Sequence, residues 1–205
     1  VIVDEVEGWG VFDAPNRSSR SYFTGDEPSI TLIVEAGDER YELPAGAATW
    51  RAYSPDSTRL AWTSPADPTA GTLHLLDIAS GNVTELATGA EPPLVWSPSG
   101  RFLAYGAGVA GQITILEVDT DETLNTVGRL AGRDLWVERD GTEWLVTLDA
   151  TGARLTSTDA DDEAIVLPFR SGNEVRVLTA RYIVVIAGNG PQQTTIVFDA
   201  TDASR

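Results

Sequence analysis

Short apolar runs recur along this chain, each closed by a polar cluster. Leu73-His74-Leu75-Leu76 ends at Asp77, Thr114-Ile115-Leu116-Glu117-Val118 at Asp119, and Thr195-Ile196-Val197-Phe198 at Asp199. Runs this short, rich in β-branched and aromatic residues and bounded by Asp, Gly, Ser and Pro, predict strands joined by tight turns. Ser54-Pro55-Asp56, Ser97-Pro98-Ser99 and Asp140-Gly141 supply the turn chemistry. Strands alone account for the pattern, and no helix is needed.

The strands come in a repeating set. Tyr53-Ser54-Pro55-Asp56-Ser57-Thr58-Arg59-Leu60-Ala61-Trp62 returns 43 positions later as Trp96-Ser97-Pro98-Ser99-Gly100-Arg101-Phe102-Leu103-Ala104-Tyr105. Gly141 follows Gly100 by 41 positions and Asp119 follows Asp77 by 42. Arg181–Ile186 and Tyr22-Phe23-Thr24 carry fainter copies, while Asp149 breaks the spacing and implies a more compact unit. A repeat of this length with several strands per copy predicts a β-propeller. Five units, near 8–45, 46–89, 90–132, 133–170 and 173–205, give about five four-stranded blades in one domain over 1–205. The last unit reads one strand short, and Val1-Ile2-Val3-Asp4-Glu5-Val6 is expected to fill that place and hide the sheet edges. A larger ring of six to eight blades, of which this is a piece, is the competing count.

Ser54-Pro55-Asp56-Ser57-Thr58-Arg59-Leu60-Ala61 and Trp96-Ser97-Pro98-Ser99-Gly100-Arg101-Phe102-Leu103-Ala104 resemble the W-S-P-D-G-[KR]-x-[IL]-A core of TolB-type (WD-like) propeller repeats. Asp56 keeps the family aspartate and Ser99 replaces it; Gly100 keeps the glycine and Ser57 replaces it. The resemblance implies a bacterial, extracytoplasmic propeller that serves as a binding platform or as an accessory domain. The propellers that gate prolyl-oligopeptidase-type hydrolases are similar in kind, which gives a second functional expectation.

Charge narrows the partners. Fourteen Arg and no Lys stand against 31 Asp and Glu, for a net charge of −17. Such a chain repels phosphate backbones and anionic membranes, so nucleic acid is not an expected partner and a basic protein is. No apolar run reaches the roughly 18 residues of a membrane span, and no signal-peptide pattern opens the chain. The absence of Met predicts that position 1 is not a natural start.

Absent residue types exclude much chemistry. Without Lys there is no Walker A loop or Schiff base, and without Cys no thiolate or sulfur-ligated metal. His74 is the sole histidine, lies mid-run, and reads as structural, since no Gly-x-Ser-x-Gly elbow accompanies it. Gly106-Ala107-Gly108-Val109-Ala110-Gly111 matches a dinucleotide fingerprint, but the strand-like Gln112-Ile113-Thr114-Ile115-Leu116 stands where the phosphate-binding helix would start. Asp119 and Asp121, with Glu122, and Asp159 and Asp161, with Asp162 and Glu163, are weak calcium candidates that read better as solvated turns.

Trp62, Trp96, Trp136 and Trp144 fall at repeat positions and are expected in the core. Trp9 and Trp50, near unit beginnings, are candidate exposed anchors. Asp67, Glu91 and Asn189 lie in the Pro65–Pro68, Ala90–Pro93 and Gly188–Pro191 segments, expected as partner-binding loops. The expected function is a non-enzymatic, cofactor-free binding or scaffold propeller. A calcium- or sugar-binding propeller is a further alternative.

Overall fold

A computed structural model describes residues 8–26, 29–46, 49–67, 70–107, 112–128, 130, 135–148, 152–159, 163–168, 174–177, 182–187 and 194–199. Among them every regular element is a β-strand. The chain divides into two compact units, Val1–Trp96 and Ser97–Arg205.

The first unit holds two antiparallel sheets. Strands β1 (Trp9–Asp13), β2 (Ser19–Thr24), β3 (Thr31–Ala36) and β4 (Glu39–Pro44) lie side by side in chain order. Strands β5 (Arg51–Tyr53), β6 (Arg59–Asp67), β7 (Ala70–Asp77) and β8 (Val83–Trp96) form the second meander. Alternation gives each sheet an apolar face. Leu32, Val34 and Phe23 from the first sheet share one core cluster with Tyr53, Leu60, Trp62 and Leu76 from the second.

Two long-range bonds fix this packing. Trp62, fully buried, donates its indole N–H to Pro44 O at 3.2 Å, and Tyr41 donates its hydroxyl to Ile78 O at 2.8 Å. Arg51 reaches back from β5, donating Nε–H to Ser21 Oγ at 2.9 Å with its guanidinium 4.3 Å over the Phe23 ring. Burial holds the Arg51 pKa below its ordinary value.

The second unit repeats the scheme. Strands β9 (Phe102–Gly106), β10 (Gln112–Glu117) and β11 (Glu122–Val127) are antiparallel neighbours. Next come β12 (Trp136–Arg139), β13 (Thr142–Leu148), β14 (Gly152–Ser157) and β15 (Ile165–Pro168), then β16 (Glu174–Val177), β17 (Tyr182–Ala187) and β18 (Thr194–Asp199). Phe102 stacks on Trp136 at 6.5 Å, and Thr126 and Thr156 hydroxyls meet at 2.7 Å, joining the first two of these sheets. Val137, Trp144, Val146 and Leu155 pack against Ile183 and Phe198, joining the second to the third.

Trp62, Trp96, Trp136 and Trp144 are all buried, as their repeat positions predicted. Gly106 closes β9 and Gln112 opens β10, so the glycine segment joins two paired strands and no helix follows it. Two segments expected as loops are instead strand. Pro65–Asp67 finishes β6, and Ala90–Pro93 lies inside β8. Buried Leu94, Val95 and Trp96 draw β8 onward past its β7 partner, and the fixed φ of proline is compatible with extended chain. Val1–Val6 and Asn189 lie outside the described residues; β16, β17 and β18 form a three-stranded sheet.

Gly81 shows how tightly the first two sheets meet. Its φ is +71°, and a Cβ placed there would lie 2.8 Å from Tyr41 Cε1, on the ring whose hydroxyl bonds Ile78 O. Gly81→Ala is expected to cost about 1–2 kcal/mol from the left-handed backbone, plus the displacement of Tyr41. A melting temperature lowered by roughly 2–4 °C per kcal/mol is the expected reading, and an unchanged melt would show that this contact is loose.

Candidate functional site

Among the described residues three turns with proline second are built alike. In each, the first residue donates its amide to the sixth residue's carbonyl, Ser54 N to Arg59 O at 3.0 Å and Ser97 N to Phe102 O at 2.8 Å. Ala14 N to Ser19 O at 2.9 Å makes Ala14-Pro15-Asn16-Arg17-Ser18-Ser19 a third copy, which sequence reading missed because alanine replaces the leading serine. The third residue accepts the amide two positions on: Asn16 Oδ1 from Ser18, Asp56 Oδ1 from Thr58, and Ser99 Oγ from Arg101. The fourth is left-handed, at φ +60° for Arg17, +64° for Ser57 and +73° for Gly100.

Asp56 is therefore a turn lock. Ser54 donates its hydroxyl to Asp56 Oδ1 at 2.6 Å, and that bond, with the Thr58 amide and hydroxyl, holds the Asp56 pKa below the usual carboxylate range. Serine at 99 does the same work with one oxygen fewer, bonding Ser97 Oγ at 3.1 Å.

The turns also reach the neighbouring sheet. Asn16 donates its amide to Ser57 Oγ at 3.1 Å. Ser99 donates both its amide and its hydroxyl to the Glu143 carboxylate, at 2.8 and 2.7 Å.

Beside this last bridge, within the second unit, opens a cleft of about 780 Å³ lined by Pro98, Ser99, Arg101 and Phe102 on one side and Glu138, Gly141, Thr142 and Glu143 on the other. Glu117, Glu122, Thr158 and Asp159 also line it, so among the described residues five carboxylates share the cleft with one guanidinium. Arg101 Nε–H donates to Glu117 Oε1 at 2.5 Å, and Thr120 hydroxyl to the other oxygen at 3.0 Å. This holds the Glu117 pKa low, Arg101 being the main cause. Glu122 and Glu138 are exposed.

Strand register explains the charge density. Glu122 stands directly opposite Glu117 in the β10–β11 ladder, and Glu138 directly opposite Glu143 in β12–β13. Like charges opposite one another across a ladder are unfavourable. The sequence held a signal for this: each pair is a Glu and a second Glu five positions later, flanking a hairpin turn.

The sequence-chosen binding residues are scattered. Trp9 opens β1, Trp50 is 48% exposed just before β5, Asp67 ends β6 and Glu91 lies within β8. Trp50 is an exposed aromatic, whereas Asp67 and Glu91 are strand positions rather than loop tips. Asp119 and Asp121 sit exposed in the β10–β11 turn, with Asp121 at φ +59°, and Asp159 borders the cleft with its amide on Ser157 Oγ. Asp161 lies outside the described residues. Among the described residues no three His, Asp or Glu side chains converge as metal ligands do.

No family model matches the chain, and no curated protein does. Solved structures match its fold. The β-propeller domain of the Trilobed protease from Pyrococcus furiosus, with an open velcro topology, superposes with a TM-score of 0.58 at 9% identity, over 90% of this chain and 65% of that one. A eukaryotic initiation factor gives 0.63 at 11%, over 95% and 53%. Pyrococcus horikoshii acylaminoacyl peptidase gives 0.54 at 10%, over 88% and 36%. The chain spans less than two thirds of each. Its fold is thus all-β, of the β-propeller class, and among the described residues no sheet closes on itself.

The depressed Asp56 pKa has a sign. A carboxylate whose folded pKa lies below its unfolded value, about 3.9 for Asp, stabilises the fold above that value and loses the contribution as pH falls through the folded pKa. Asp56→Asn keeps the amide-accepting oxygen without the charge, so its melting temperature is expected to fall less steeply than the parent's below about pH 4. Parallel acid limbs in the two melting series would mean that Asp56 is not a source of acid sensitivity.

Proposed function

We propose that residues 1–205 form one propeller domain of TolB-like, WD-like type that binds a protein partner through rigid surfaces, and that a basic segment of that partner enters the acidic cleft beside the Ser99–Glu143 bridge. One observation carries this: two glutamate pairs, the members of each held opposite one another by strand register, border one concave space with, among the described residues, a single arginine. A cationic peptide there relieves repulsion that the free protein bears, and the net charge of −17 draws such a partner in. The repeat motifs favour an extracytoplasmic, bacterial setting. The neighbour folds supply the second reading: a propeller attached to a peptidase, favoured by its likeness to the propeller of the Trilobed protease.

An arginine-rich peptide of eight to ten residues, used as a probe of the cleft, is expected to bind the intact chain and to weaken as ionic strength rises, the Debye length being about 10 Å at 0.1 M salt. Glu122→Gln with Glu138→Gln should reduce that affinity at least fivefold. The same double change should leave thermal stability equal or higher, since each opposed pair is worth about 0.2–1 kcal/mol. Equal titration curves for parent and variant would remove the cleft from the proposal.

A further inference from the structure

Ser64 Oγ lies 2.7 Å from His74 Nε2 on the neighbouring strand. In the β6–β7 register His74 stands opposite Trp62, and Ser64 is two residues further along β6, so all three project from one face. The imidazole stacks on the Trp62 ring at 5.0 Å and 24°. Trp62 is fully buried and tied to Pro44 O, so the imidazole rests on a surface that cannot move without opening the core. On the other side of β7, His74 is paired with Glu85 of β8. Serine, histidine and glutamate thus occupy three adjacent strands, in the order required by a nucleophile, its base and an orienting carboxylate. Ser64 and His74 are half-buried and Glu85 is exposed, which leaves the group open to solvent.

We propose that Ser64 is a base-activated nucleophile that accepts acyl groups from activated esters, with His74 as its proton acceptor and Glu85 as a positioning residue. Ser64 Oγ bonds to the carbonyl carbon, its proton passes to His74 Nε2, and the bond from that carbon to the leaving oxygen breaks as the oxygen takes the proton from His74. Water then adds to the acyl carbon, gives a proton to His74, and displaces Ser64 Oγ, which recovers that proton as the carboxylic acid leaves. Burial lowers the His74 pKa while Glu85 acts in the opposite direction, so the ring is neutral at neutral pH and able to accept. The dyad supplies proton transfer alone, which restricts the substrate to esters with good leaving groups. This activity is independent of the partner-binding cleft, which lies in the other unit.

The test uses the intact chain with a fluorophosphonate probe and 4-nitrophenyl acetate. Trypsin releases Ser64 in the segment 60–101, bounded by Arg59 and Arg101, where fragmentation locates the adduct. The expected result is an adduct on Ser64 that is absent in Ser64→Ala and forms at least tenfold more slowly in His74→Gln, which keeps a hydrogen-bonding side chain but no base. The parent's labelling rate should rise with pH through a midpoint below the ordinary histidine value of about 6.5, and Glu85→Gln should move that midpoint lower. No adduct at Ser64, equal rates in parent and His74→Gln, or a rate without a pH inflection would overturn the proposal; the last reads on the parent alone, even should His74→Gln fail to fold.

Discussion

A small antiparallel sheet has two faces and can hide them only against other sheets, and that requirement governs everything else in this chain. Leu60, Trp62 and Leu76 are dry only because Leu32, Val34 and Phe23 pack against them. Removing a side chain such as Trp62 from such a core costs about 3–5 kcal/mol, a large share of the stability of any domain. Directional bonds then fix the separation that apolar contact leaves adjustable. The Trp62 indole on Pro44 O and the Tyr41 hydroxyl on Ile78 O set how closely the first two sheets approach.

The turns follow from the same constraint. A four-stranded sheet leaves its connecting turns at the rim, next to the turns of its neighbour. There a spare amide such as that of Asn16 or Ser99 finds an acceptor, Ser57 Oγ in one case and the Glu143 carboxylate in the other. Each turn needs an oxygen at its third position and a left-handed fourth residue. Asn, Asp and Ser all meet the first need, and Arg17, Ser57 and Gly100 all meet the second. Variation of the motif among copies is thus permitted by geometry, and the departure at Ser99 leaves the turn intact while freeing its hydroxyl for the sheet beside it.

The repeat made the architecture legible, because turn chemistry and strand alternation are local and return at a fixed interval. The four repeat tryptophans were placed correctly for that reason. What failed was whatever depended on pairing between distant residues. Pro92 and Pro93 look like loop punctuation in one dimension, yet buried Leu94–Trp96 hold them in a strand. In one dimension Asp119 and Asp121 cluster in the turn, whereas Glu117 and Glu122 stand apart on either side of it. Only the register turns those two, and Glu138 with Glu143, into opposed pairs around one space. Ser64 and Glu85, ten residues before His74 and eleven after it, become its neighbours only when β6, β7 and β8 pair.

Strand register therefore has electrostatic consequences that the chain bears for the sake of its core. Moving Glu122 or Glu138 to the opposite face by a one-residue slip would relieve the repulsion but would also turn out the buried residues of the same strands, Thr126 on β11 and Trp136 on β12. Exposing a buried tryptophan costs more than an opposed pair of carboxylates, about 3 kcal/mol or more against 1 or less. The core wins, and the charge remains in the cleft. Whatever cation enters there binds a repulsion already set by folding, so its binding and the stability of the sheets around it are thermodynamically linked.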